Sequence, residues 1–350
     1  MKPLTRRTLI QSGTAVALLA TLPRIVRGQG GAATDLSFVN PELRPIAQSI
    51  VQSMEHMPPA TAAQIPAMRK QIGSFAAPPL AAPPWSLKSI PGDNGAPDVP
   101  VYVINADPAR KAPAILHIHG GGYIAGHAKS GLPELQATAA TLGCVIVTVD
   151  YRLAPETRWQ GSVQDNYTAL RWLHDHAEEL GVDRARIAVM GESAGGGHAA
   201  LLAIAARDRG EVPLCAQILV YPMLDDRTCT REPANPHIGQ LLWTPSMNAL
   251  GWESFLGVAP GSPAVPAAAV PARVADVHGL PPTFIGVGSI DLFVDEDVTY
   301  AHRLIDAGVP TELVVVPGAF HGFDGIAAQT QLAKRFTAAK IAALTRAFAA

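Results

Sequence analysis

Charge is scarce in this chain. Acidic and basic residues make up 16% of its 350 residues, and the formal net charge is −2. That balance gives no long-range attraction to nucleic acid or to an anionic membrane. The only basic cluster lies at the extreme N-terminus. Cysteine is rarer still. Cys144, Cys215 and Cys229 are an odd set without metal-ligand spacing, so they form no disulfide framework. Cys144 and Cys215 sit beside apolar runs and read as small buried hydrophobes, whereas Cys229 lies in a polar loop and reads as a free thiol. The apolar stretch near the N-terminus, residues 15–22, is too short to span a bilayer.

What is abundant is apolar surface. Hydrophobic residues are 48% of the chain, enough for a sizeable core, and 350 residues suit one large α/β domain with additions or two modest ones. Residues 1–32 have a different texture: Arg6 and Arg7, then the short apolar stretch, then small residues. This pattern predicts an export signal, and "TRRTLI" resembles the twin-arginine type, which delivers a folded protein across the bacterial inner membrane, here to the periplasm. The competing reading is an ordinary amphipathic N-terminal helix. No cysteine follows the stretch, so no lipid or other stable membrane anchor is expected.

Residues 41–73 space apolar side chains three and four apart and predict helices. A proline-rich connector, "AAPPLAAPPW", follows. Residues 33–84 therefore read as N-terminal cap helices and linker, and 85–350 as the main domain. Within it, short Val- and Ile-rich runs predict strands at 100–104, 114–118, 144–149, 187–190, 216–221, 283–287 and 312–316. Helical segments fall at 133–142, 163–180, 194–207, 295–307 and 331–348. Several strands lack alternation, as strands buried on both faces do. The expected architecture is α/β: a mostly parallel, doubly wound central sheet with helices on both faces. Residues 225–275 break the rhythm and predict an insertion that joins the N-terminal helices in a helical cap.

"GESAG", residues 191–195, has the form Gly-x-Ser-x-Gly. Alone it is weak. An apolar run enters it and a helical segment leaves it, which is the context of a strained strand-to-helix elbow presenting Ser193. A serine that attacks an acyl carbonyl creates an oxyanion, and the oxyanion needs preorganised N–H donors. "HIHGGGY", residues 117–123, can supply them: glycines tolerate the unusual backbone angles and leave the approach clear. The expected donors are the N–H groups of Gly121 and Gly122, with Ala194 behind the nucleophile. A phosphate-cradling loop fits poorly, because no Gly-x-x-x-x-Gly-Lys-Ser/Thr pattern is present.

The base and its orienting acid should follow in the order Ser, Asp or Glu, His. Asp291 leaves the strand at 283–287, and His321 stands on a loop after the strand at 312–316. Asp295, Glu296 and Asp297 read more simply as complements to the start of the next helix. His117, His119 and His198 read as structural. Tyr123, Trp243, Trp252 and Phe293 are candidates to line a substrate pocket. In "DYRLAPE", residues 150–156, the charged side chains read as a salt-bridged turn supporting the glycine loop.

Taken in order, "HGGGY", "DYRLAPE", "GESAGG", "YPMLDD", "DLFVDE" and "HGF" resemble the bacterial hormone-sensitive lipase family (family IV) of esterases in the α/β-hydrolase superfamily. The resemblance runs from about residue 41 to the C-terminus. It implies an α/β-hydrolase fold and a serine carboxylesterase acting on short- to medium-chain acyl esters through a Ser-His-Asp triad and an acyl-enzyme. It implies no cofactor and no metal, a small-molecule ester as partner, and it allows a homo-oligomer. Glu192 stands where many relatives carry Asp. The same fold also hosts small-molecule receptors, peptidases and amidases. Haloalkane and epoxide chemistry would want a carboxylate where this chain has Ser193.

Overall fold

The computed structural model describes residues 35–55, 60–74, 76–230 and 235–349; the expected export signal lies outside them, as does the Cys229 side chain. In chain order the elements are α1 (Arg44–Met54), α2 (Ile65–Ser74), β1 (Trp85–Ile90), β2 (Val99–Ile104), β3 (Ala112–Ile118), α3 (Leu132–Leu142) and β4 (Val145–Val149). Next come α4 (Trp159–Asp175), α5 (Ala177–Leu180), β5 (Val182–Glu192), α6 (Ala194–Arg209), β6 (Ala216–Val220) and α7 (Pro245–Leu256). The chain ends with β7 (Thr283–Gly288), α8 (Val294–Asp306), β8 (Thr311–Val316), α9 (Phe323–Ile326) and α10 (Gln331–Ala349).

The eight strands form one sheet in the order β1-β2-β4-β3-β5-β6-β7-β8. β1 and β2 are antiparallel to their neighbours, and the other pairings are parallel. Pleating sends successive side chains to opposite faces. Thus Val145, Val147 and Val149 join one core with α4, α6 and α8, while Ile146 joins another with α1, α3 and α10. Helices on both faces explain why β3, β4 and β6 read as continuous apolar runs.

A third apolar cluster sits at the C-terminal end of the strands. It joins Ile65 of α2 and Trp252 and Phe255 of α7 to the loop residues Tyr123, Ile124 and Phe293. The insertion contains α7 and short 3-10 turns, and the Arg273 guanidinium closes its two ends onto the buried Asp226 carboxylate at 2.6 Å. The two N-terminal helices part company. α2 joins the insertion, but α1 buries Ala47 and Ile50 against a sheet face, so α1 belongs to the helical layer and not to the cap.

Three elements differ from the sequence expectation. β1 was hidden because it is an exposed edge strand with one buried residue, Ile90. β5 begins five residues before the expected run, since its polar start "DRAR" carries no apolar signal. The helix expected at 163–180 starts at Trp159 and breaks at His176 into α4 and α5.

Candidate active site

Ser193 stands between β5 and α6 with φ 57° and ψ −123°, a strained conformation for a residue with a Cβ. Its N–H donates to the Val220 carbonyl at 2.9 Å, and its own carbonyl accepts from Met223 N–H at 2.9 Å. The elbow is thereby pinned to the end of β6. Gly195 permits the close packing: a Cβ there would lie 2.0 Å from the Ile118 carbonyl oxygen.

Two loops at the same sheet edge complete the arrangement. His321, after β8, places Nε2 2.9 Å from Ser193 Oγ, although 128 residues separate them in the chain. Its Nδ1 lies 2.9 Å from Oδ2 of Asp291, after β7. The other Asp291 oxygen accepts the Phe293 N–H at 3.0 Å, which fixes the carboxylate. With Nδ1–H donated to Asp291, Nε2 offers its lone pair to the serine hydroxyl. Asp291 is sealed from solvent, and Asp295 is exposed in the first turn of α8.

The glycine loop faces this trio. Among the described residues the N–H groups of Gly121 and Gly122 have no acceptor in the protein. Ala194 opens α6, so its N–H has no carbonyl one turn back in the helix. The Gly121 carbonyl accepts from Ile124 N–H at 3.1 Å and Ala125 N–H at 2.9 Å, closing a tight turn. At φ 125°, Gly121 could not be exchanged for a residue with a side chain without strain.

The four aromatic candidates separate into two pairs. Trp243 lies against Gly122 and the His321 ring, and Phe293 meets that ring edge-on at 5.1 Å. Tyr123 and Trp252 lie deeper in the third cluster, which all four share. Tyr123 stacks on Phe255 at 4.0 Å and donates its hydroxyl to the Met223 carbonyl at 3.0 Å, tying the glycine loop to the segment behind the elbow.

The sequence did not single out Tyr221. It follows β6 with φ 35° and sets its ring edge against His321 at 4.8 Å. Its hydroxyl donates to Asp324 Oδ1 at 2.7 Å. The only sequence signal was its place at the head of "YPMLDD". Nor was the cleft foreseen. A cavity of about 320 Å³ abuts the glycine loop and is lined by Ile72, His119, Gly120, Gly121, Leu135 and Glu192.

Surrounding charges are mostly structural. His117 joins Thr148 Oγ1 and Glu192 Oε2, each at 2.8 Å. Burial would raise the Glu192 carboxyl, but the His117 contact wins and holds it below the usual range. Burial drives the His119 imidazole well below its ordinary value, so it is a neutral brace on the Gly120 carbonyl at 2.8 Å. Glu156 pairs with Arg69 of α2 at 2.8 Å, and Arg152 with Asp165 at 2.6 Å. Glu296 and Asp297 differ from the helix-start role expected of them. Glu296 is buried and accepts the Leu224 N–H at 2.6 Å, and Asp297 is wholly buried beside it. Burial pushes both carboxyls well above the usual range.

Comparison with known proteins agrees with this architecture. A family model described as alpha/beta hydrolase fold matches residues 115–325. The chain is 32% identical to carboxylesterase NlhH of Mycobacterium tuberculosis over 324 residues, covering 90% of this chain and 99% of that protein. It is 34% identical over 227 residues to ethyl acetate hydrolase of Pseudomonas putida, covering 62% of this chain and 68% of that protein. Among solved structures, a bacterial heroin esterase superimposes with a TM-score of 0.79 at 38% identity, over 89% of this chain and 99% of that one. The chain belongs to the α/β-hydrolase family, in its hormone-sensitive lipase branch.

Proposed function

We propose that this carboxylic ester hydrolase cleaves short- to medium-chain acyl esters with Ser193 as nucleophile, His321 as general base and acid, and Asp291 as the orienting carboxylate. One observation carries the reading: the two 2.9 Å contacts of His321, to Ser193 and to Asp291, opposite the unpaired N–H groups of the glycine loop. Ser193 Oγ attacks the ester carbonyl while Nε2 takes its proton. Asp291 holds the imidazole tautomer and stabilises the imidazolium. The oxyanion rests on the N–H groups of Gly121, Gly122 and Ala194. His321 then protonates the departing alcohol, and water repeats the sequence on the acyl-enzyme.

The name of the ethyl acetate hydrolase relative supports small acyl groups. A panel of p-nitrophenyl esters from acetyl to palmitoyl, with an anilide and an emulsified triglyceride in parallel, tests the reading. Best turnover between acetyl and octanoyl is expected. A peak on the triglyceride or the anilide would overturn it. We further propose that residues 1–32 direct twin-arginine export. Periplasmic accumulation of the full chain, abolished by Arg6→Lys with Arg7→Lys, is the expected result, and unchanged fractionation would dismiss it.

A further inference from the structure

Three aromatic rings surround the His321 imidazole. Tyr221 and Phe293 meet it at centroid distances of 4.8 Å and 5.1 Å, and Trp243 lies at 6.3 Å. Trp243 also lies on the glycine loop, where a Cβ on Gly122 would meet its ring. The indole is fixed in that place. Its Nε1–H donates to Asn248 Oδ1 on α7 at 3.2 Å, and Asn248 is itself buried. α7 packs on the same loop, since a Cβ on Gly251 would lie 2.7 Å from the Gly122 carbonyl oxygen. Upstream of Trp243, the Gly239 N–H donates at 3.1 Å to the carbonyl of Ile290, the neighbour of Asp291. Little open surface remains around the reacting groups: Ser193 is 7% exposed, Trp243 8% and the His321 side chain 11%.

The chemistry decides which part of an ester meets the indole. When Ser193 Oγ adds to the carbonyl, the carbon carries Oγ, the oxyanion, the alkoxy oxygen and the acyl chain. The oxyanion is directed at the glycine-loop N–H groups, and the alkoxy oxygen at His321 Nε2, which must protonate it. Trp243 lies against the first and borders the second, so it bounds the sector those two groups share. The acyl chain points out of that sector.

We propose that Trp243 is a specificity-determining residue for the leaving alcohol, admitting unbranched or flat alcohols and excluding those branched at the carbinol carbon. Branching drives a methyl group against a fixed indole, whereas an unbranched chain passes it and an aryl ring lies along it. The inference rests on the esterase reading above.

Two matched series test it by kcat/KM. Ethyl, isopropyl and tert-butyl acetates vary the alcohol alone, and p-nitrophenyl acetate, isobutyrate and pivalate vary the acyl group alone. Trp243→Leu should raise the isopropyl-to-ethyl ratio about tenfold, the size of effect one methyl group has in a hydrophobic pocket, while the pivalate-to-acetate ratio stays within about twofold. Trp243→Phe should fall between Trp243→Leu and wild type. An unchanged alcohol ratio overturns the proposal, as does an acyl ratio that shifts equally. If Trp243→Leu does not fold, Trp243→Phe decides on the same ratios. A wild-type protein that cleaves ethyl and tert-butyl acetates equally well would dismiss the wall and leave the esterase reading intact. One inert on all of these esters would refute the esterase reading itself.

Discussion

A Cβ placed on Gly122 would lie 2.1 Å from Cη2 of Trp243. The indole therefore rests directly on the backbone of a proposed oxyanion donor. Gly122→Ala must displace the ring or the loop, and its φ of 60° adds strain. Loss of one such donor costs about 10²–10³ in kcat. Steady-state kinetics should show a loss of that size in Gly122→Ala. Adding Trp243→Leu should recover part of it, because the clash is with the ring.

Ser193→Ala should lower kcat by about 10⁶-fold, and it should abolish labelling by an organophosphonate, read by mass spectrometry. Asp291→Asn should cost about 10⁴-fold, since the amide holds the wrong imidazole tautomer. Asp295→Asn, at an exposed carboxylate, should stay within about twofold of wild type. A reversal of these two would move the acid to Asp295.

His198 is buried among Tyr123, Tyr151 and Phe255, and neither ring nitrogen has a partner among the described residues. Burial, helped by His119, lowers it from 6.5 to about 3. Between those values the unfolded chain binds the extra proton, so stability contributed by the neutral ring is present above pH 6.5 and is lost as pH falls. From pH 6.5 to pH 5 the loss is about 2 kcal/mol. Urea unfolding at pH 7 and pH 5 should show His198→Phe gaining on wild type by that amount at the lower pH.

Arg69 ties α2 to the glycine loop. Its guanidinium donates to the Ile124 and Ala154 carbonyls, each at 2.7 Å, and to both Glu156 oxygens. Hydrogen bonds to charged groups contribute about 1.5–3 kcal/mol. Arg69→Met should therefore speed amide exchange in α2 by about tenfold or more, with little change in α6. Uniform exchange across both helices would show that the clamp is not local.

The sheet was legible because parallel strands buried on both faces leave unbroken apolar runs, as in "VIVTV" of β4. β1 was not, because an edge strand answers to backbone pairing more than to burial. Ser193, Asp291 and His321 could be read from their places after β5, β7 and β8, since chain order and sheet order coincide there. The walls of the site were less readable. Tyr123 and Phe293 are equally aromatic in sequence, and only packing decides that one braces the loop while the other touches the imidazole. The buried Lys340 was invisible because its partner, Glu134 on α3, lies 206 residues away.

Ser193 occupies backbone angles natural only to glycine, at a cost of about 1–3 kcal/mol. Ser193→Gly should thus yield an inert molecule that melts above the working one.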